Sequence, residues 1–275
     1  MPQCSFAGTR YTGGVDDDSA LLAAHYRLLQ AYDGLVADPV ALDGAIAFDC
    51  PRFSDLPNAC HAGDFVGMPD GATALRELDA YYAPRGARCS RVRIAGGAYR
   101  RSMDDAFAAA GFTPRAVVAW RATSAPTTRP SPPHVRVVSA RALRRAYSAL
   151  LSERGGRDVD ARMTEYELDR LDNPQFDAWV AEFEGAPCAC VALLQVGPIG
   201  GLFDLYVRPE FRRRGLGSAL VAYALAAARR WALRQVLAGC GEHNAPAQAL
   251  ATRLGFRRDG ILPAFCRPEW VEWGA

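Results

Sequence analysis

The amino-acid sequence predicts an α+β fold in which helices flank a mixed β-sheet, and three observations lead to this prediction. A proline-rich stretch at 122–134 divides the chain into halves of similar size, and such a stretch favours an extended linker. In the second half, two apolar runs meet at a turn at 184–187, which is typical of an antiparallel strand pair. Strands and helices then alternate in the order β-α-β-α-β, which makes the sheet mixed.

Hydrophobic periodicity justifies each element in turn. Residues 1–17 are expected to form a loose leader, and 19–32 a helix. After the linker, 135–138 predict a strand, and 139–154 predict a helix because Leu143, Tyr147 and Leu150 share one face. The remaining predicted elements are helices at 163–172, 216–231 and 245–254, with strands around 184–187 and at 200–207, 235–240 and 257–265.

The charge balance argues against a general binder of nucleic acid or membrane surfaces. The chain has 275 residues, half of them hydrophobic and 23% charged, with a net charge of +2 at pH 7. All 32 basic residues are arginine, so no lysine is available for catalysis. The eight cysteines show neither C-x-x-C pairs nor zinc spacing, and no apolar signal segment is present. We therefore expect a cytoplasmic protein with reduced thiols and no metal site.

The stretch VRPEFRRRGLGSAL, residues 207–220, has the composition of an anion site. It joins a predicted strand to a predicted helix, whose first N–H groups have no partner within the helix. Gly215 and Gly217 allow the backbone to approach a ligand closely. The surrounding guanidinium groups belong to Arg208, Arg212, Arg213 and Arg214. A solvated basic turn has the same composition, so the loop alone does not decide between the two interpretations.

A second motif gives the loop its context. Residues 243–256, HNAPAQALATRLGF, place Asn244, Ala247, Leu250 and Leu254 at fixed spacing before a Gly-Phe pair. With both motifs, residues 135–270 resemble the GNAT superfamily of acetyl-CoA-dependent N-acetyltransferases. The family's strand–R/Q-x-x-G-x-G/A–helix pattern is matched from Leu205 through Gly217, and its N-x-x-A-x-x-L-x-x-x-L-G-F pattern is matched position for position.

The resemblance implies a splayed sheet and acetyl-CoA as cosubstrate. In that family the glycine loop binds the CoA pyrophosphate, and pantetheine lies between two diverging parallel strands, here 202–207 and 235–240. The loop residues that would hold the pyrophosphate are Arg212, Arg213, Arg214, Gly215, Leu216, Gly217 and Ser218. Tyr206 and Val207 would pair with the pantetheine amides. Asn244 would touch the CoA chain, or cap the helix that it precedes, and the two roles can coexist.

The catalytic groups are where the sequence departs from the family. Many members carry a tyrosine that protonates the departing thiolate, and Ala251 stands at that position. Many also carry a glutamate base where Gly200 and Gly201 lie here. The candidate bases that remain are Asp204, which we prefer, and then Glu242 or His243. Asp204 could equally be a buried structural carboxylate. The oxyanion would meet the main-chain N–H of Leu205 or Tyr206.

The first half, residues 18–121, ends in the segment DDAFAAAGFTPRAVVAW, which is similar to the Gly-Phe motif of the second half. Aligning Gly111 on Gly255 gives an offset of 144 residues, which resembles a tandem-GNAT protein. The place of the phosphate loop reads VGMPDG, with Asp70 where arginine is expected and a proline that removes an N–H. We expect a degenerate GNAT-like half, whole or partial, that binds no CoA and either walls the acceptor cleft or packs against the C-terminal domain. Residues 135–275 are expected to keep the CoA site even when the first half is removed.

Two functions remain open. The preferred one is transfer of an acetyl group from acetyl-CoA to a primary amine by direct attack in a ternary complex. The alternative is a catalytically silent acyl-CoA-binding sensor or scaffold. An acidic stretch could form a wall suited to a cationic amine, or it could be a solvated helix face. Its members are Asp158, Asp160, Glu165, Glu167, Asp169 and Asp172.

Overall fold

The computed structural model describes residues 15–50, 62–65, 70–95, 99, 102–123, 133–155 and 161–268. Most of the expected leader and linker lies outside these residues, as do Asp158 and Asp160. Among the described residues, no helix combines the length and the apolar character needed to cross a membrane. The described cysteines are all free, and Cys188 and Cys190 are completely buried in a strand, as expected of structural thiols.

The first half consists of a long helix followed by strands and two shorter helices. Its elements are α1 (Val15–Asp33), β1 (Asp38–Leu42), β2 (Ala45–Asp49), β3 (Ala62–Phe65), α2 (Gly71–Tyr82), β4 (Arg91–Ile94), α3 (Ser102–Ala109) and β5 (Thr113–Ala122). The predicted helix at 19–32 is confirmed as α1.

The second half follows the predicted order of elements. They are β6 (Val135–Ser139), α4 (Arg144–Gly155), α5 (Ala161–Asp169), β7 (Phe176–Phe183), β8 (Ala186–Val196), β9 (Ile199–Val207), α6 (Leu216–Arg230), β10 (Gln235–Gly241), α7 (Ala245–Arg253) and β11 (Phe256–Cys266). Helix α4 begins later than predicted, because main-chain hydrogen bonds from Ala142 and Leu143 to Ser139 form a turn first.

One mixed sheet of eleven strands runs through the described residues, in the order β1-β2-β3-β4-β11-β5-β10-β9-β8-β7-β6. Two neighbouring pairs, β3 with β4 and β9 with β10, are parallel, and the others are antiparallel. Helices α1 and α4 pack on one face, and α6 packs on the other against Val191 and Trp179. The predicted α+β fold with a mixed sheet flanked by helices is confirmed.

The two halves exchange their last strands. Strand β5 lies between β10 and β11, while β11 continues the sheet to β4. The two exchanged pairings are closely equivalent, since Leu237 faces Arg121 across β10 and β5, and Arg93 faces Ala264 across β4 and β11. Each half therefore depends on the other for main-chain hydrogen bonds in the middle of the sheet.

The elements recur at the expected offset, and among the described residues the N-terminus of α2, unlike that of α6, is capped by a side chain. Helices α2 and α3 correspond to α6 and α7, and β4 and β5 correspond to β10 and β11. Asp70 caps α2 by accepting hydrogen bonds from the N–H of Thr73 at 2.6 Å and from its hydroxyl at 3.0 Å. A carboxylate thus already occupies the helix end at which a phosphate would bind.

Candidate active site

The sheet opens between β9 and β10. These parallel strands pair only where residues 199–202 face 235–238. Farther along, β9 stays paired with β8, and β10 stays paired with β5. Asp204 has a φ of +55° at the point where the β8–β9 register shifts, so a bulge bends β9 at the start of the gap. The edge of β9 from Phe203 to Val207 is consequently free of β10.

A cavity of about 440 Å³ lies at this gap and is lined from both faces of the sheet. Tyr32 and Arg154 line it from the α1 and α4 face, while Val221 and Ala251 line it from the α6 and α7 face. Strand β5 of the first half adds Ala116 and Trp120 to the lining. Two reactants could therefore approach the gap from opposite sides.

The glycine loop presents an uncapped helix N-terminus. Gly215 precedes α6 with a φ of +83°, a conformation that favours glycine, and no side chain caps the helix. The first hydrogen bond of the helix joins the N–H of Ala219 to the carbonyl of Gly215 at 3.0 Å. The earlier N–H groups of α6, from Leu216 to Ser218, belong to the first turn, which has no intrahelical partners. Such a turn suits an anion.

The loop arginines do not act as one group. Arg208 donates to both carboxylate oxygens of Glu153, at 2.8 and 2.6 Å, so its charge is largely compensated. Arg212 donates through Nε to the carbonyl of Val207, and Arg214 lies 5.5 Å from the Phe183 and Phe211 rings. Among the loop arginines, Arg212, Arg213 and Arg214 remain exposed.

Asn244 caps α7. Its side-chain oxygen accepts a hydrogen bond from the N–H of Ala247 at 3.0 Å, so the expected capping role is confirmed. Asn244 also lines the cavity. The C-terminal end of α7 lies beside the first turn of α6, since Arg253 donates to the Ser218 hydroxyl at 3.3 Å.

Asp204 is buried and fully engaged. One of its oxygens accepts from the Tyr32 hydroxyl at 2.8 Å and from Arg154 at 2.5 Å, and the other accepts from the Tyr147 hydroxyl at 3.0 Å. Glu167 and Arg170 extend this network through a direct ion pair, and Tyr32 also donates to Glu167 at 3.3 Å. Only 5% of the Asp204 side chain is exposed.

The network keeps Asp204 ionised. Burial alone would raise the pKa of its carboxyl, but the Arg154 and Arg170 guanidinium groups and the hydrogen bonds from Arg154 and Tyr32 outweigh burial and lower that pKa. Burial is the largest cause of the raised pKa of the Tyr32 and Tyr147 hydroxyls. A carboxylate with a lowered pKa and occupied lone pairs is a weak proton acceptor.

The model of the acetyltransferase (GNAT) family matches residues 142–256, which contain the gap, the glycine loop and α7. Residues 142–256 are a GNAT-family domain. No curated protein sequence matches the chain.

Solved structures share the fold over both halves. A GCN5-related N-acetyltransferase from Kribbella flavida is 15% identical with a TM-score of 0.65, and the match covers 93% of this chain and 97% of that one. A functionally unknown conserved protein from Staphylococcus epidermidis is 13% identical with a TM-score of 0.67, covering 85% and 94%. A GCN5-related N-acetyltransferase from Sphaerobacter thermophilus is 15% identical with a TM-score of 0.61, covering 91% and 88%.

Glu242 stands at the end of β10 in the GNAT domain. Its main-chain N–H donates to Ala116 of β5 at 2.8 Å, and its carbonyl accepts from the Gln248 side chain at 2.6 Å. The residue is half-buried and lines the cavity. Glu242 therefore has a fixed backbone, a position at the gap and access to solvent.

A side chain at either glycine before the gap would require a neighbouring side chain to move. A Cβ on Gly200 would come within 2.8 Å of Leu233, and one on Gly201 within 2.6 Å of Phe203.

Of the acidic stretch, Glu167 reaches the cavity within the described residues. Glu165 is exposed, and Asp172 pairs with Arg144 at 2.9 Å, as expected of a solvated helix face. Sequence analysis missed Tyr32, Arg154 and Arg170. Arg154 did leave a signal, since it follows Tyr147 and Leu151 at helical spacing on the buried face of α4.

Proposed function

We propose that the chain transfers an acetyl group from acetyl-CoA to a primary amine by direct attack in a ternary complex. The observation that carries this proposal is the uncapped N-terminus of α6, which follows directly from the strand edge that the gap leaves open. The N-terminus of α6 suits an anion. The open edge of β9 leads from there to a cavity lined by titratable groups.

CoA binding would use main-chain groups first. The N–H groups of Leu216, Gly217 and Ser218 would receive the pyrophosphate, and Arg212 to Arg214 would supply charge around it. The open edge of β9 at Tyr206 and Val207 would pair with the pantetheine amides as a further strand does. The thioester would then lie beside Ala251.

In the reaction, the amine nitrogen attacks the thioester carbonyl and the carbon–sulfur bond of the tetrahedral intermediate breaks. The main-chain N–H of Leu205 or Tyr206 would stabilise the oxyanion. CoA leaves as a thiolate, whose ordinary pKa of about 8.5 makes an acid helpful but dispensable. This chemistry tolerates the absence of a tyrosine at Ala251.

The amine must lose a proton, and the two candidate bases now differ. Asp204 is engaged by three donors and has a lowered pKa, so we assign to it a positioning role on the bulge of β9. Glu242 is accessible at the rim of the cavity, and we assign to it the role of general base, directly or through water.

Calorimetry with acetyl-CoA, followed by turnover with a panel of amines, tests the proposal. Gly217→Asp is the sharpest variant, because a Cβ there would meet Leu250 at 3.4 Å and Val207 at 3.7 Å without a serious clash. An acidic residue in the first turn also suits a helix, so the protein should fold while the carboxylate repels the pyrophosphate. Ala249→Asp on exposed α7 surface is the control. Unchanged affinity in Gly217→Asp would contradict the CoA site.

The alternative is an acyl-CoA-binding sensor or scaffold without catalysis. Two observations favour it: Ala251 lacks a hydroxyl, and Gly200 and Gly201 provide no carboxylate. Tight binding of acetyl-CoA without turnover of any amine would select this alternative over the transferase.

A further inference from the structure

One part of the cavity is apolar and lies on the α6 and α7 face of the gap. We name it the acyl lobe, and it is lined by Trp120, Val191, Val221, Ala238, Ala251 and Phe256. These residues come from six elements, namely β5, β8, α6, β10, α7 and β11. All of them belong to or pack against the same hydrophobic core. The charged side chains of the Asp204 network approach the gap from the opposite face of the sheet.

Small side chains keep the acyl lobe open. Ala238 on β10 and Ala251 on α7 end at Cβ, and both are only partly buried. Val221, Trp120 and Phe256 also line the cavity and retain between 4% and 7% exposure. Apolar side chains that line a void lack dispersion contacts on that side, and an apolar ligand would restore those contacts.

The pantetheine arm does not suit this lobe. Its amides need donors and acceptors, and main-chain groups of that kind lie along the open edge of β9. The polar group that the lining of the acyl lobe offers is the indole N–H of Trp120. That N–H lies near the Cys240 thiol, and burial is the largest cause of the raised pKa of this thiol.

We propose that the acyl lobe receives the acyl chain of the donor and selects straight, uncharged chains longer than acetyl. The inference rests on the proposed function, which places the thioester beside Ala251, and it extends the donor from acetyl-CoA to longer acyl-CoA thioesters. Each methylene buried in the lobe contributes about fourfold in affinity, so a chain of about four to six carbons gains over acetyl. A terminal carboxylate would lose affinity, because the six side chains that define the acyl lobe are uncharged, and Arg154 and Arg170, which line the cavity elsewhere, already pair with Asp204 and Glu167.

Calorimetry of the full chain with acetyl-, butyryl-, hexanoyl- and succinyl-CoA tests this inference without requiring an acceptor. We expect affinity to rise by about tenfold or more from acetyl- to hexanoyl-CoA and to fall for succinyl-CoA. Equal affinities for the acetyl, butyryl and hexanoyl thioesters would overturn the acyl lobe while leaving the proposed function intact. Failure to bind any CoA thioester would overturn both.

A variant that fills the acyl lobe tests whether the acyl chain binds there. Ala251→Phe should reduce affinity for hexanoyl-CoA about tenfold more than affinity for acetyl-CoA, since the new ring occupies the acyl lobe. Ala251→Val repeats the test with a smaller side chain in case the larger one prevents folding. Ala249→Phe, on the exposed side of the same helix, is the matched control and should keep the hexanoyl-to-acetyl ratio of the natural protein. A ratio unchanged in both Ala251 variants would contradict the assignment.

Discussion

The main-chain N–H of Glu242 donates to the carbonyl oxygen of Ala116 at 2.8 Å, so the proposed base of the second half is held by the last strand of the first half. The register of β5 with β10 continues this connection, because Gly241 faces Val117 and Ala238 faces Trp120. The first half therefore contributes directly to the backbone of the proposed site, besides walling the cavity.

This dependence changes the expectation for the isolated halves. A fragment of residues 133–275 would leave the facing edges of β10 and β11 without β5 between them, exposing unpaired main-chain groups. We expect this fragment to bind no CoA when expressed alone. Coexpression with residues 1–123 should restore the complex and CoA binding, measured by copurification and calorimetry. A 133–275 fragment that binds CoA alone as tightly as the full chain would contradict the role given to strand exchange.

The variants Asp204→Asn and Glu242→Gln should distinguish the structural role of Asp204 from the catalytic role proposed for Glu242. Asp204→Asn removes a buried charge and leaves Arg154 poorly compensated, so we expect a loss of about 3 kcal/mol in the free energy of unfolding. Glu242→Gln changes a partly exposed side chain and should leave the melting temperature nearly unchanged while lowering kcat by about a hundredfold.

The pH profile provides the control for this pair. In the natural protein kcat should rise with pH as the amine deprotonates, and Glu242→Gln should keep this rise at a lower kcat, because the amine is unchanged. A kcat for Glu242→Gln equal to that of the natural protein would return the general-base role to Asp204 or His243.

The melting temperature at acidic pH should depend on the buried carboxylates. The pKa of Asp204 is lowered from an ordinary value of 3.8, as is that of Asp33, which pairs with Arg91 at 2.5 Å and Arg93 at 2.7 Å. When the pKa of a carboxyl is lower in the folded chain than in the unfolded chain, its ionised form stabilises the fold. This stabilisation is complete above the pKa of the unfolded chain and is lost as the pH falls through the pKa of the folded chain. The melting temperature should therefore drop steeply below about pH 4.

Variants assign the acid transition to residues. Asp204→Asn should start from a lower melting temperature and show a shallower acid decline than the natural protein. Asp172→Asn is the control, because its ion pair with Arg144 is exposed and screened by solvent. If Asp204→Asn and the natural protein declined in parallel, Asp204 would have no part in the acid transition.

Sequence patterns predicted the local parts of the site. The glycine loop, the Asn244 cap and the order of elements depend on neighbours within one or two turns, and all three are found as expected. The Tyr32–Asp204 hydrogen bond and the insertion of β5 depend on pairings between the halves, which leave no periodic trace in a single sequence. The bulge at Asp204 belongs to the same class, because its direction is set by the register of β8 and β9.

The loop arginines should contribute unequally to CoA affinity. Arg213 is exposed beside Gly215, whereas Arg208 is held by both oxygens of Glu153 and by the carbonyl of Pro187. We expect Arg213→Gln to weaken acetyl-CoA binding about threefold to tenfold and to reduce its dependence on salt, because a charge-assisted contact to phosphate is lost. Arg208→Gln should change affinity less than about twofold, since its charge is already compensated. Calorimetry at two ionic strengths distinguishes the variants, and a larger loss in Arg208→Gln would mean that the Glu153 ion pair opens when CoA binds.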